Sequence, residues 1–589
     1  MDLRAHALGW LGEDPDEVTR AELAELLERG DEAGLADRFG RWLAFGTAGI
    51  RGRLGAGPNR MNRVVVRRVT AGLAARLRAA DPAAAARGLV VGRDARHGSA
   101  AFAQDTAAVL AGAGICVWRF REPVPTPLVA FAVRTLAAGG GVQITASHNP
   151  ASDNGYKVYG SDGAQIAPPV DSQIAAAVER GGTLGDIPYD PGSPLISPVP
   201  PWVRQAYLDT ALGLARHPER RDLKIVYTPL HGVAGELCAE LLARAGFHDV
   251  RVVPEQAEPD PDFPTVAFPN PEQPGALDLA VALARRTGAD LVIANDPDGD
   301  RIAAAVPTGE GGWRALTGDE VGCLLADYVL AERPAGVDPV VATTVVSSRL
   351  LARIAAAHGA GYAETLTGFK WLAQVAGRAR EQGRRLALAY EQALGVMVGD
   401  AVRDKDGISA ALVLAELAAV RKERGETLLD ALDGLARRFG VHATAGWSVP
   451  LAGEPLARLR AVRPAEVGGV AVVAFADYAE GVRHLADGTA ERLGMPATDL
   501  VGQTLADGSR LQIRPSGTEP LLKLYAEVVE PVLGTDVTSA RARAAHRLAT
   551  LSSAFQQQLS FVSEGKPHST ILTQPVSHGF PPDPRESRG

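Results

Sequence analysis

The sequence predicts an α/β protein: three similar mixed-sheet α/β domains and a smaller C-terminal α+β domain around a central cleft. Three observations carry this. Apolar strand-length runs alternate with helical patterns in three successive rounds. Ser147, Asp296, Lys370 and Glu391 each stand just past a predicted strand, where open α/β sheets bind ligands. After about Arg438 the pattern changes to spaced strands, with Asp507-Gly508 as a hairpin turn.

The first forty residues read as helical, with Thr19-Arg-Ala-Glu22 as a capping box and an end near Gly30. The small-residue loop Phe45-Gly-Thr-Ala-Gly-Ile-Arg51-Gly52 follows. The first round then runs through a helix from Val65 to Ala80 and a strand from Leu89 to Val91. It continues with a helix capped by Ser99, a strand from Cys116 to Phe120 and a helix from Leu128 to Ala137. It closes on the short strand Val142 to Ile144 and the loop Thr145-Ala-Ser147-His148-Asn149-Pro150, stopped by the turn signal Asn-Pro. The second round places strands at Leu223 to Tyr227, Val250 to Val253, Asp290 to Ala294 and Ile302 to Val306, with helices at Gly235 to Gly246 and Ala276 to Thr287. The third has strands from Val340 and from Leu386 to Tyr390, with helices at Ser348 to His358 and Trp371 to Gln382. Beyond Arg438, strands are expected at Val470 to Phe475, Arg510 to Ile513 and Lys523 to Val528, and a closing helix at Ser539 to Leu559.

The proline-rich stretch Pro188 to Pro201 and the break Gly311 to Gly318 suit boundaries. The expected domains are 1–200, 201–316, 317–440 and 441–560, with a disordered tail over 561–589 rich in polar residues and proline.

Composition narrows the function. The 589 residues are 46% hydrophobic and 22% charged, as in a soluble globular protein, and suggest roughly four domains at about 150 residues each. A net charge of −8 argues against a general nucleic-acid binder, so an anionic ligand must be held by local Arg and Lys groups. Cys116, Cys238 and Cys323 form no metal or redox spacing, which fits a reducing compartment. No run approaches the ~18 apolar residues of a membrane span, and the N-terminus lacks a signal pattern. The expectation is a cytoplasmic monomer or dimer without membrane or nucleic-acid partners.

The most specific chemistry lies at Asn295-Asp296-Pro-Asp298-Gly-Asp300-Arg301. Carboxylates at alternate positions of one loop offer oxygen-only ligands, as Mg²⁺ requires, and repel one another unless a cation sits among them. An EF-hand is excluded, because the twelfth position from Asp296 is Pro307. Arg514-Pro-Ser516-Gly517-Thr518 follows a strand and combines a guanidinium, hydroxyls and backbone N–H groups, the ingredients of a phosphate grip. Glu391-Gln-Ala393 offers an acceptor for sugar hydroxyls, although a solvated acidic loop has the same composition. Lys370, before a helix, and His231, in a turn, read equally well as structural. No Gly-x-Ser-x-Gly elbow is present, which disfavours a serine hydrolase.

From about Ala44 to Val529 the sequence resembles the α-D-phosphohexomutase superfamily. The matching motifs are Phe45-Gly-Thr-Ala-Gly-Ile-Arg-Gly, Thr145-Ala-Ser-His-Asn-Pro, Asp296-Pro-Asp-Gly-Asp-Arg, Glu391-Gln-Ala-Leu-Gly and Arg514-Pro-Ser-Gly-Thr-Glu-Pro. Asn154-Gly-Tyr-Lys-Val-Tyr, Thr367-Gly-Phe-Lys-Trp and the N-terminal helices look most like the phosphopentomutase and glucose-1,6-bisphosphate synthase branch. The resemblance implies a phospho-sugar mutase that interconverts sugar 1-phosphate and 6- or 5-phosphate through a phosphoserine and a sugar bisphosphate. Glucose and mannose phosphates are the first expectation, with phosphopentomutase or glucose-1,6-bisphosphate synthase activity as the alternative. It implies Ser147 as the phosphorylated residue and a ligand of Mg²⁺ with Asp296, Asp298 and Asp300. Arg51 and Arg301 would steady the phosphoserine, and His148 and Lys157 would transfer protons. Lys370, Glu391 and Ala393 would meet the sugar, and Arg514, Ser516, Gly517 and Thr518 the distal phosphate. A sugar 1,6-bisphosphate is the expected activator. Many relatives carry Ser where Ala393 stands, and the close branch usually has Glu where Gln392 stands. A strand followed by Asp-x-Asp-Gly also resembles haloacid-dehalogenase phosphatases, with Asp296 as nucleophile; that is the competing class.

Overall fold

A computed structural model describes residues 2–46, 49–180, 182–309, 311–451, 453–516, 521–562 and 579–580. Three helices open the chain: Leu3–Glu13, Glu17–Arg29 and Glu32–Phe39. The cap of the second is Asp16, whose side chain accepts from Val18 N, rather than the expected Thr19. Thr19 lies inside the first turn and donates to Asp14 Oδ2 at 2.7 Å. Gly30 ends this helix in the left-handed conformation.

The first sheet is mixed. Its strands β1 (Gly49–Arg53), β2 (Leu89–Arg93), β3 (Val117–Arg119), β4 (Gly140–Ile144), β5 (Asp153–Gly160) and β6 (Ile196–Pro198) lie in the order β1-β5-β4-β2-β3-β6. β4, β2, β3 and β6 are parallel; β5 returns antiparallel on β4 and β1 on β5. β6 lies within the expected proline-rich junction. The helix at Ser99–Gly112 is capped by Gly98, because the Ser99 hydroxyl is used by Asp94 Oδ1 at 2.6 Å.

The second sheet holds β7 (Ile225–Thr228), β8 (Val250–Val252), β9 (Leu291–Ala294), β10 (Ala303–Pro307) and β11 (Trp313–Ala315), the last inside the expected Gly311 to Gly318 break. The third holds β12 (Pro339–Thr344), β13 (Gly361–Thr365), β14 (Arg385–Glu391) and β15 (Gly395–Val398) in the order β13-β12-β14-β15. Central strands such as β9 and β12 are buried throughout, which is why they read as unbroken apolar runs.

The fourth sheet is antiparallel: β16 (Val441–Pro450), β17 (Glu466–Val467), β18 (Val470–Asp477), β19 (Val482–Leu485), β20 (Ala490–Arg492), β21 (Val501–Leu505), β22 (Arg510–Pro515) and β23 (Leu521–Glu530). The helix Val537–Val562 packs on β16 and β23. Of the expected tail, Gly579–Phe580 forms a strand, β24, antiparallel to β11; residues 563–578 and 581–589 lie outside the described residues.

One apolar core runs through the first three sheets, joining Leu128, Tyr207, Leu237, Leu351 and Leu412. The fourth domain meets the third through a smaller cluster, in which Val345, Val346 and Leu366 face Ala476, Tyr478 and Leu500. Among the described residues, no helix is long and apolar enough to cross a membrane.

Candidate active site

β4 ends at Ile144, and the chain turns sharply so that Ser147 takes a left-handed backbone, φ 55°. For a non-glycine residue this costs on the order of 1–3 kcal/mol and needs surrounding structure to hold it. Thr145 Oγ1 accepts from Ser147 N at 2.9 Å. Arg96, almost fully buried, donates to four backbone carbonyls of the loop: Ser147 at 2.7 Å, Asn149 at 2.6 Å, Pro150 at 2.7 Å and Asp153 at 3.2 Å. The Arg96 guanidinium stacks 4.8 Å above the Phe263 ring. Arg51 secures the same loop by donating to Asn149 Oδ1 at 3.0 Å. Thr47 and Ala48 of that arginine's motif lie outside the described residues.

The Asp loop begins where β9 stops, at Ala294, and places all three carboxylates fully buried with ligand atoms within 4.8 Å of one another. Ser147 Oγ donates to Asp296 Oδ2 at 2.9 Å, so phosphoserine candidate and acids meet across two domains. Lys157 Nζ lies 2.6 Å from Asp298 Oδ2 and 2.8 Å from Asp300 Oδ2. Lys405 Nζ adds a contact of 3.1 Å to Asp300, and Arg301 Nε lies 4.0 Å from Asp296. Among the described residues, Asp298 Oδ1 and Asp300 Oδ1 are buried without a hydrogen-bond partner. All-oxygen donors with orphaned carboxylate atoms fit a hard divalent cation such as Mg²⁺.

These contacts split the acids. Burial, with Asp298 and Asp300 alongside, pushes Asp296 well above the ordinary carboxylate range. Burial would raise Asp298 and Asp300 too, but Lys157 holds both below it. Reciprocally, burial would lower Lys157, yet Asp298 and Asp300 outweigh it and raise the lysine. The nearest neighbours of Lys157 are thus anions, which favour its charged form. His148 Nδ1 stands 3.5 Å from Ser147 Oγ. Burial and the cations Arg301 and Arg51 hold its imidazole neutral. Its ring packs 6.2 Å from Phe268.

The third domain closes one side. Gly395 pairs with Arg301 as an isolated antiparallel bridge, setting the turn after Glu391 against the Asp loop. Glu391 Oε1 accepts from Gly368 N at 2.6 Å, so the Glu391 and Lys370 loops are neighbours. Burial lowers Lys370, opposed by Asp171 of the first domain. Ala393 contributes a half-buried methyl group. Gln392 is turned away to Ser347, whose hydroxyl donates to its Oε1 at 3.0 Å.

Arg514 sits on β22 with its guanidinium 5.9 Å from the Tyr525 ring. Burial raises the Tyr525 phenol, Arg514 opposes this, and the carboxylates of Glu391 and Glu272 add to it, so this part of the fourth domain faces the other two. Ser516 N donates to Leu521 O at 2.7 Å, while Gly517 and Thr518 lie outside the described residues.

Sequence reasoning passed over Arg96, Lys405, Thr126 and Glu272. Arg96 closely follows β2, so the strand-end rule applied to every strand would have flagged it, whereas Lys405 lies well beyond the end of β15. Thr126 Oγ1 donates to Asp298 Oδ2 at 2.6 Å. Glu272, 3.5 Å from Arg301 Nη1, comes from a long loop with no periodic signal. His231, left-handed with Nε2 2.8 Å from Thr265 Oγ1, holds a turn.

Family models of phosphoglucomutase/phosphomannomutase match along the chain: α/β/α domain I over residues 43–184, domain II over 205–310, domain III over 317–439 and the C-terminal domain over 453–544. A probable phosphomannomutase of Haemophilus influenzae is 40% identical over 79% of this chain and 93% of its own length. A probable phosphoribomutase of Schizosaccharomyces pombe is 39% identical over 88% of this chain and 92% of its own. The crystal structure of a phosphoglucomutase/phosphomannomutase family protein from Burkholderia thailandensis shares the fold, with a TM-score of 0.65 and 23% identity over 89% of this chain and 98% of that one.

Proposed function

Because this chain belongs to the phosphoglucomutase/phosphomannomutase family and is a phosphomutase, an isomerase, we propose that it moves a phosphoryl group between the C1 and C6 (or C5) oxygens of a sugar by way of Ser147. The 2.9 Å hydrogen bond from Ser147 Oγ to Asp296 carries the reading, since it joins the hydroxyl of the left-handed Ser147 to the buried acids. The phosphatase alternative loses ground on family membership and on Asp296 itself, which accepts from Ser147 and from Arg301 N at 3.0 Å.

A phosphoserine brings about −1.5 to −2 charges, and a sugar phosphate brings as much again. Lys157, Lys405, Arg301 and Arg51 are the cations positioned to offset that repulsion. Asp296, Asp298 and Asp300, with a Ser147 phosphoryl oxygen, would hold Mg²⁺, which supplies charge compensation during transfer. His148, neutral and beside Ser147, is the side chain suited to take the proton of the attacking hydroxyl; Lys157 serves the acids instead. Glu391, with Lys370 behind it, accepts sugar hydroxyls, and Arg514 with the 516–518 loop holds the distal phosphate. Because either end of the bisphosphate must be accepted, a distal grip on a separate domain suits the cycle, and closure of that domain on the ligand would exclude water.

Mannose- and ribose-phosphate relatives at nearly equal identity support a site that admits more than one sugar, with hexose phosphates first and pentose phosphates second. Small sugar phosphates are the proposed partners, with a sugar 1,6-bisphosphate as activator, in the cytoplasm. Turnover of glucose, mannose, ribose and deoxyribose 1-phosphates, with and without glucose 1,6-bisphosphate, ranks the substrates. Ser147→Ala is expected to abolish turnover while leaving the fold intact; full activity in that variant removes the proposal.

A further inference from the structure

β22 carries Arg510 and Arg514 four residues apart, so both leave the same face of the sheet. Arg510 stands in register opposite Glu527 of β23, with its Nη2 3.4 Å from Glu527 Oε2. Glu527 is almost fully buried and collects partners from both domains. Arg349 Nε donates to Oε2 at 2.6 Å; Arg349 N and Ser348 Oγ donate to Oε1 at 2.8 and 2.9 Å. His442 Nδ1 lies 3.1 Å from Oε1. Around this carboxylate the grip is reciprocal: Arg349 Nη2 reaches Gly508 O at 2.5 Å, and Arg510 donates to Ser347 O. The same turn, residues 347–349, ends on the sugar loop, because Ser347 Oγ accepts from Gln392 N at 3.2 Å and donates to Gln392 Oε1.

An apolar contact such as Val345 and Val346 against Ala476 and Tyr478 can slide with little loss, whereas a carboxylate shared by two arginines and a turn has one register. We propose that Glu527 is a positioning residue that sets the span between the anion grip on β22 and the sugar loop at Glu391. The inference rests on the mutase reading above, in which one ligand is gripped alternately by either end and tolerates little error in that span.

The test is a double-mutant cycle between Glu527→Gln and Arg514→Ala, read as the Kd for glucose 6-phosphate by calorimetry and as kcat/KM. With Arg514 present, Glu527→Gln is expected to weaken binding about 10- to 100-fold; with Arg514→Ala, less than about 3-fold. A purely structural role costs the same in both backgrounds, and that result, or no loss in the single variant, overturns the proposal. Should Glu527→Gln fail to fold, Ser347→Ala breaks the link to Gln392 without leaving buried arginines unpaired. The same cycle then expects about 3- to 10-fold with Arg514 and little without it, and equal losses overturn the proposal again. Failure of the mutase reading shows elsewhere, as turnover retained by Ser147→Ala; if the wild type prefers ribose 5-phosphate to glucose 6-phosphate, the same cycle is read with ribose 5-phosphate.

Discussion

Lys157 Nζ lies 2.6 Å from Asp298 Oδ2, with the lysine side chain 10% exposed and the aspartate not at all. The acid triad is therefore not a set of bare charges waiting for a cation. It is held by internal lysines, Lys157 and Lys405, to which a bound cation would add its charge.

Lys157→Met should leave Asp298 and Asp300 without their main counter-charge. Breaking such a buried pair costs about 3–5 kcal/mol. Without metal the variant should melt well below the wild type, and Mg²⁺ should recover more of its Tm than it adds to the wild type. Differential scanning in EDTA and in Mg²⁺ decides; equal metal effects on both proteins contradict the account.

Arg96→Ala removes the donor for four carbonyls around Ser147. The left-handed Ser147 backbone then loses its support, and a displaced hydroxyl of about 1 Å is worth about 10²-fold in rate. Single-turnover phosphorylation by glucose 1,6-bisphosphate should slow by that order, with the global melt lowered by about 2–4 kcal/mol. Unaltered phosphorylation would mean that the loop holds itself.

Gly407 allows the Asp loop its close neighbour. A Cβ there would sit 2.0 Å from the Arg301 carbonyl oxygen and 2.7 Å from Asn295 Nδ2. Gly407→Ala should push that loop aside, destabilise by about 1–3 kcal/mol and blunt the rise of Tm with Mg²⁺. A wild-type metal response in a folded variant counts against this.

Asp319 sets a pH dependence of stability. Burial pushes its carboxyl up to about 6, opposed by Ser348 N and reinforced by the nearby Glu527, while Tyr390 and Thr444 donate to it. Its folded pKa is raised above the unfolded value near 3.8, so folding favours the protonated form. The cost of ionising it appears as pH rises from about 4 to 6 and is then fully present, at about 3 kcal/mol near pH 7. Asp319→Asn should raise Tm at pH 7–8 and flatten its fall between pH 4 and 7. A Tm profile parallel to the wild type would refute this.

Much of the architecture was legible because buried parallel strands, such as Leu291–Ala294, cannot hide their apolar runs, and glycine-ended helices mark their own limits. Caps were read less well. Thr19 and Ser99 have capping chemistry, but Asp16 and Gly98 take those positions because Asp14 and Asp94 claim the two hydroxyls. The serine and Asp loops announced themselves through residue type and strand ends. Glu272 and Thr126 did not, since nothing local distinguishes a carboxylate that will meet Arg301 from a distant loop, or a hydroxyl that will reach Asp298 in another domain.

The sequence by itself determined many of the elements, the order of the α/β rounds and the candidates for phosphoryl, metal and anion chemistry, because these depend on local periodicity and side-chain type; strands such as Asp153–Gly160 and Val441–Pro450 and the helix Gly407–Glu423 escaped it. Only the tertiary structure decided the partnerships. Lys157 belongs to Asp298 and Asp300, Arg96 to the Ser147 loop, and Glu527 to two arginines from different domains. The physical reason is that ionisation and geometry in a buried site are set by whichever charges the fold brings within a few ångströms, and separation along the chain carries no trace of that distance.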